Sequence, residues 1–442
     1  MRDVDYIIVG QGLAGTCLAW ELRALGASCI VIDREAAVTS SRIAAGLITP
    51  VTGQRLVKTW RFDELRPAAW EFYRRVEREL GCQLLRDTLM MKVFATEQER
   101  EFFGKRQRDP AYDGLLREWA DLPAGVLAPL GGCEVLRGAQ LDASMFLTRT
   151  REMLTREGAY LAGEIALPED VQLMGQGQAC FAIRSEVCSL SPTRDAVFSR
   201  DETVGERAGV RGQTSQIPPH PGPLPHNPPQ IENDVDGERE GTGSGLPAAQ
   251  LELRPSGDSH GVEVPRFGLR AKTLVFCEGI SSHSNPWFSN VEFNPARGEM
   301  LTVRIPDWTE DRVIHSGVWI APLGATRDGD RLYRVGATYD WAHLDSGPTA
   351  EGRSLLITAL EKLISVPYEI VDHVTAVRPI LKQLNPVIGR HPHNPQLGYF
   401  NGLASKGSLQ APFFARQFAS HLVNQTPIER VVDLQVRVPW PR

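Results

Sequence analysis

Gly10, Gln11, Gly12, Leu13, Ala14 and Gly15 follow directly on the apolar run Tyr6, Ile7, Ile8 and Val9. A strand that runs into G-x-G-x-x-G and on into a helix makes a seat for a dinucleotide pyrophosphate. The first glycine permits the tight turn, the second lets backbone approach the phosphates, and the third lets helix pack on strand. The phosphate charge then meets unpaired N–H groups at the positive end of a helix. Asp33 and Arg34 close the next apolar run, Cys29 to Ile32. An acid at that distance accepts hydrogen bonds from an adenosine ribose and argues against a 2′-phosphate. The motif alone does not separate a nicotinamide from a flavin dinucleotide, and a glycine turn in an ordinary βαβ unit is the alternative reading. Ser40 and Ser41 come next; two adjacent hydroxyls can bond phosphate oxygens. Ala44, Ala45, Gly46 and Leu47 follow, and the small residues there permit backbone to approach a flat ring.

The elements that must hold these residues are legible from periodicity. Cys17, Leu18, Leu22 and Leu25 give residues 16–25 an amphipathic helical period that Gly26 stops. Helical periods recur at 66–80, at 141–157 with Asp142 near the N-cap, and at 350–364. Strand-like runs occupy 89–95, 272–277, 299–305, 317–321 and 332–338. The stretch 191–262 differs. Roughly a quarter of it is Pro plus Gly, with little apolar period, so it reads as a disordered insertion into a β-excursion between strands near 180 and 272.

The chain has 442 residues and a net charge of −6, enough length for two or three domains and no basic balance that would draw nucleic acid or an anionic membrane. Its seven cysteines are odd in number and none forms a C-x-x-C pair, so a reducing compartment and no metal site are expected. His283, His315 and His343 show no ligand spacing. No run is long enough to span a membrane, and the first strand begins almost at Met1. A cytoplasmic enzyme is expected.

Separated segments together resemble the D-amino-acid oxidase-like (DAO) family of FAD-dependent oxidoreductases. They are the glycine fingerprint, Ser40-Ser41 with Ala44 to Leu47, and Leu274 to Gly279. Val335 to Thr338, Val377-Arg378-Pro379, Pro386 to Gly389, and Gly402 to Pro412 complete the set. The resemblance implies an α/β fold: a discontinuous Rossmann-type FAD-binding domain (1–88, 140–190, 263–290, 375–442) and a mixed β-sheet α+β substrate domain (89–139, 291–374). It implies that the flavin end of the cofactor is framed by Ala45, Gly46, Leu47, Gly279, Ser405, Lys406, Gly407, Ser408 and Leu409. It implies Arg378 as the clamp for a substrate carboxylate, since a guanidinium fork matches a carboxylate bidentately. Lys406 and Lys58 are the further catalytic candidates. Lys58 and Trp60 are expected on the active-site side, and Lys406 is expected to assist O2 reduction by its charge. Tyr333 and Tyr339 are expected to pack.

The chain departs from the family in four places: Asp33 stands where Glu is more usual, residues 381–388 lack a tethering Cys, 401–409 lack a His-Gly pair, and the run Phe276-Cys277-Glu278-Gly279 sets an acid beside the turn. Non-covalent FAD is therefore expected. The expected reaction is oxidation of a C–N bond in an amino acid or secondary amine, by hydride transfer to flavin N5, with O2 or a quinone or carrier as acceptor. A tRNA wobble-base modification enzyme, a nicotinamide-dependent dehydrogenase and a non-catalytic flavin-binding subunit are the alternatives.

Overall fold

The computed structural model describes residues 1–119, 121–174, 261–325 and 331–440. The Pro- and Gly-rich stretch lies outside these up to residue 260; its last two residues, Gly261 and Val262, open the strand Gly261–Val264. That strand pairs antiparallel with Gln172–Met174 and with Leu269–Phe276, so the segment between 174 and 261 joins two neighbouring strands of one sheet.

Among the described residues, two eight-stranded sheets organise the fold. In the first, four strands run parallel in the order Tyr160–Ala162, Cys29–Asp33, Arg2–Val9 and Leu269–Phe276. The fourth strand forks. Its first half pairs with Gly261–Val264, and its second half pairs in parallel with Leu397–Asn401, which turns back antiparallel onto Val387–Arg390. Ile7, Ile30 and Leu274 are fully buried on one face and Ile8, Val31 and Val275 on the other, the continuous apolar pattern of a sheet covered on both sides. Helices Leu13–Ala24, Phe62–Leu80 and Gly407–Asn424 pack together on one face through Leu18, Trp20, Phe72, Tyr73, Phe414 and Phe418.

The second sheet runs in the order Glu369–Arg378, Ala296–Ile305, Arg331–Gly336, Val318–Ala325, Val313–Ser316, Met90–Val93, Gly132–Val135 and Leu116–Glu118. Leu301, Val303, Ile320 and Val335 point to one face and pack on Leu356 and Leu360 of the helix Ala350–Glu361. The alternate residues Gly298, Met300 and Trp319 face the first sheet across a cavity. The strand Glu369–Arg378 belongs to this sheet to its last residue, so the boundary expected at 374/375 falls inside a strand. Periodicity did not mark that strand, because its residues are half-buried on both faces or exposed and alternate weakly. The helix expected near 141–157 spans Ala143–Arg156, with the Asp142 side chain accepting from the Met145 N–H as an N-cap. Among the described residues no helix is long and apolar enough to cross a membrane. Cys17, Cys29, Cys82, Cys133 and Cys277 are free; Cys180 and Cys188 lie outside the described residues.

Helix Leu13–Ala24 can lie close to its strand because Gly15 has no side chain: a Cβ there would stand 2.0 Å from the Gly10 carbonyl oxygen. The substitution Gly15→Ala is expected to lower stability by about 2 kcal/mol, the scale of overpacking a tight contact, read as a lower urea midpoint with an unchanged slope.

Candidate functional site

A cavity of about 480 Å³ opens at the carboxyl ends of the parallel strands. Its floor is the switch point, where Arg2–Val9 has Cys29–Asp33 on one side and Leu269–Phe276 on the other. Gly10 turns the chain there with φ +99°, and a Cβ on it would meet the Cys277 carbonyl oxygen at 2.6 Å. The helix that follows starts at Gly12 without a side-chain cap. Ser41 Oγ accepts from the Leu13 N–H at 3.2 Å and would be 3.2 Å from a Cβ at Gly12, so hydroxyl and backbone are drawn together at the helix start. These features leave an open, positive helix end for an anion.

Asp33 lies at the end of its strand in the cavity wall. Its Oδ1 accepts from the Gln11 N–H at 2.9 Å, and its Oδ2 accepts from the Glu35 N–H and from Arg151 Nη2, both at 3.1 Å. Arg151 also donates to Gln11 Oε1 at 2.8 Å and to Glu35. A carboxylate with two oxygens retains lone pairs for a further donor after these three. Sequence reading missed Arg151; it sits mid-helix in Ala143–Arg156, over a hundred residues from the acid it aims, and no local pattern marks it.

The other end of the cavity is framed by three separate segments. Ala45, Gly46 and Leu47 line it, and Gly46 has φ +69° where a Cβ would collide with the Leu141 carbonyl oxygen. Ser405, Gly407 and Ser408 line it at the amino end of the helix Gly407–Asn424, which also lacks a side-chain cap. Gly298, Met300, Trp319 and Arg378 come from the second sheet. The fork in the strand Leu269–Phe276 thus brings residue 405 and residue 10 to the same space.

Most of the expected residues line this one cavity: Gly10, Gly12, Leu13, Ala14, Asp33, Arg34, Ser40 and Ser41 at the fingerprint end, and Gly279 beyond. Gly15 does not; it packs helix on strand. Leu409 does not; it is buried in the core with Phe414. Lys58 is elsewhere. Its Nζ pairs with Asp63 at 2.7 Å and donates to the Ala111 carbonyl at 3.2 Å, so an ion pair and a loop bond occupy it. Trp60 likewise stacks on Phe414 at 6.0 Å. Tyr339, expected to pack, instead lines the cavity and covers Arg378.

Lys406 is half-buried just outside the lining, immediately before the helix. Burial pushes its ammonium down to about 8. On the second sheet, burial first and the charges of Lys92 and Lys406 second push His315 down to about 3, so that imidazole stays neutral. Glu278 lines the cavity with its carboxyl raised by burial, against hydrogen bonds from Asn285 at 3.0 Å and Ser282 at 3.3 Å. Among the described residues no group of three His, Cys, Asp or Glu could hold a metal ion.

A family model described as FAD dependent oxidoreductase matches residues 5–172 and 245–421. Iminodiacetate oxidase from Chelativorans sp. BNC1 has a similar structure, with a TM-score of 0.61 at 15% identity over 96% of both chains. Glycine oxidase from Geobacillus kaustophilus gives 0.62 at 14% identity, covering 97% of this chain and 96% of that one. L-amino acid deaminase from Proteus vulgaris gives 0.61 at 12% identity, covering 97% and 95%. At such identities the likeness is one of fold. The cavity fits FAD on its own terms: the uncapped helix end and Ser41 would hold the pyrophosphate, Asp33 the ribose, and residues 45–47 and 405–408 the ring.

Two outcomes are expected. Asp33→Ala should raise the FAD dissociation constant about tenfold or more, the scale of one charge-assisted hydrogen bond with its partners left unpaired, measured by flavin fluorescence on reconstitution. For Lys406, the folded protein binds fewer protons than the unfolded chain between pH about 8 and the ordinary lysine value. Stability should therefore rise with pH across that window, and Lys406→Met should remove the rise in urea midpoints measured from pH 7.5 to 10.

Proposed function

The chain belongs to the FAD-dependent oxidoreductase family, FAD is its cofactor, and we propose that it oxidises a C–N bond of an amino acid or secondary amine. The observation that carries this reading is Arg378. It ends its strand in the cavity wall, half-buried, with its Nη1 donating to the Thr338 carbonyl at 3.3 Å and no acidic partner among the described residues. Its guanidinium carbon stands 4.2 Å from the Tyr339 ring centroid. A Cβ at Gly298 would fall 2.3 Å from its Nη2, so the strand beside it has no side chain at this point. A guanidinium held on three sides and free of a carboxylate is ready to take one from a ligand.

Bound FAD would supply the acceptor for one hydride, that is, two electrons and one proton. The chain's part is binding, orientation and electrostatics. Arg378 takes the substrate carboxylate and so fixes the α-carbon against the ring end of the cavity. Met300, Trp319, Ala337 and Ala376 offer apolar walls there, which strip water from the reacting bond. Oxidation requires a neutral amine. Arg378 and Lys406 are both cationic near neutral pH, and their potential disfavours the substrate ammonium, so the proton is shed to solvent without a dedicated base. Lys406 and the uncapped end of the helix Gly407–Asn424 also place positive potential beside residues 405–408, where it would stabilise negative charge on a bound ring. This function for Lys406 replaces no hydrogen bond, since no acidic partner holds its ammonium among the described residues. With O2 as the electron acceptor turnover would yield peroxide, and with a quinone or carrier it would not, so peroxide counted per turnover assigns the acceptor.

Arg378→Ala should raise KM for a carboxylate substrate about 30-fold or more, the cost of truncating one partner of a hydrogen-bonded charge pair. FAD content should be unchanged, and Arg378→Lys should recover only part of the loss because an ammonium lacks the fork. An unaltered KM in Arg378→Ala would remove Arg378 from the substrate site.

A further inference from the structure

We propose that the stacked rings of Tyr339 and Trp341 form a fixed shelf, meeting the cavity at Tyr339, for the large apolar side chain of an α-amino-acid substrate. The inference rests on the reading that Arg378 takes the substrate carboxylate. Tyr339 belongs to both places. Its ring covers the Arg378 guanidinium at 4.2 Å and lines the cavity, yet the residue is 49% exposed. Trp341 lies nearly parallel to it, 5.7 Å between centroids and 26° between planes, and is 40% exposed. Two large rings on one loop, each two-fifths or more exposed, leave an apolar face without a cover among the described residues.

The loop that carries them is held by buried charge. Asp340, between the two rings in sequence, exchanges backbone hydrogen bonds with Arg297 at 2.8 and 2.9 Å. Its Oδ2 accepts from Arg297 Nη2 at 2.9 Å, and its Oδ1 accepts from the N–H groups of Ala342 and His343 at 2.9 and 3.1 Å. Arg297 is in turn paired at 3.1 Å with Glu299, which is 1% exposed and accepts from Thr349 N–H and Oγ1 at 2.9 and 2.7 Å. The Asp340 carboxylate is thus turned away from the rings and occupied. A binding face mounted this way loses little freedom when a ligand covers it.

Geometry sets the size of the occupant. A carboxylate on Arg378 would lie beside Tyr339, whose ring centroid stands 4.2 Å from the guanidinium carbon, and Trp341 lies a further 5.7 Å from that centroid. A hydrogen or methyl side chain cannot reach Trp341. A phenyl, indole or long aliphatic side chain can, and its aromatic contact adds to its area burial. The substrate class is therefore α-amino acids with large apolar side chains.

The test uses the flavin-loaded protein and two carboxylates that carry no amine to oxidise, acetate and 3-phenylpropanoate. Their dissociation constants are read from the change in flavin absorbance. Wild type should hold 3-phenylpropanoate about tenfold tighter or more. Trp341→Ala should cut that ratio about fivefold, the scale of one aromatic contact, and Trp341→Phe should keep most of it. Amino-acid turnover should follow the same order, with kcat/KM for phenylalanine falling more than that for alanine in Trp341→Ala. If both carboxylates bind and the ratio is the same in wild type and Trp341→Ala, the shelf is overturned and the clamp at Arg378 stands. If neither perturbs the flavin of the wild type, the clamp and the shelf fall together.

Discussion

The structure depends on three backbones meeting without side chains between them. Gly10 turns the first strand against the carbonyl of Cys277, and Gly15 lays the first helix against the carbonyl of Gly10. Any Cβ at either point would overlap backbone, which cannot rotate aside as a side chain can. That contact aims the uncapped start of the helix Leu13–Ala24 at the cavity. It also sets the height at which Leu269–Phe276 and, through it, Leu397–Asn401 deliver their ends. The C-terminal helix inherits its position from this stack, packing on the first helix through Leu13, Leu18, Phe414 and Phe418. The two ends of the cavity are therefore one mechanical unit.

The second sheet meets this unit along its Gly298, Met300 and Trp319 face. Its charges are placed with economy. Arg297 and Glu299 point to one side of their strand, where they tie down Asp340 and Thr349. Gly298, between them, points to the other side and leaves room for Arg378 on the neighbouring strand. One alternation of three residues thus anchors the loop with Tyr339 and opens the space for the Arg378 guanidinium that Tyr339 covers. The buried charges cost desolvation, and their hydrogen bonds offset it by fixing the loop in one position.

The local chemistry was legible in the chain. The glycine spacing, Asp33, the paired serines, Gly46 and the residues around 405–408 each announce a conformation or a donor within a few neighbours, and all of these but Gly15 and Lys406 line one cavity. The Asp142 cap and the helix it opens were readable for the same reason. Lys58 shows where such reading stops. Its position after a flavin-like segment suggested the active-site side, but Asp63, five residues on, holds it by an ion pair whose formation depends on how a short hairpin is turned. Arg151 shows the converse: an ordinary arginine in a helix becomes part of the Asp33 arrangement only when that helix packs against the fingerprint.

Sequence by itself determined the dinucleotide seat, the α/β class and the family resemblance, because these rest on backbone torsions, periodicity and short-range hydrogen bonds. Only the tertiary structure decided which distant groups share the cavity. The fork of Leu269–Phe276 joins residues 10 and 405, and the second sheet sets Arg378 under Tyr339 beside Trp341. Those neighbours are fixed by strand register and sheet packing, interactions between residues far apart in the chain whose partners no local window contains.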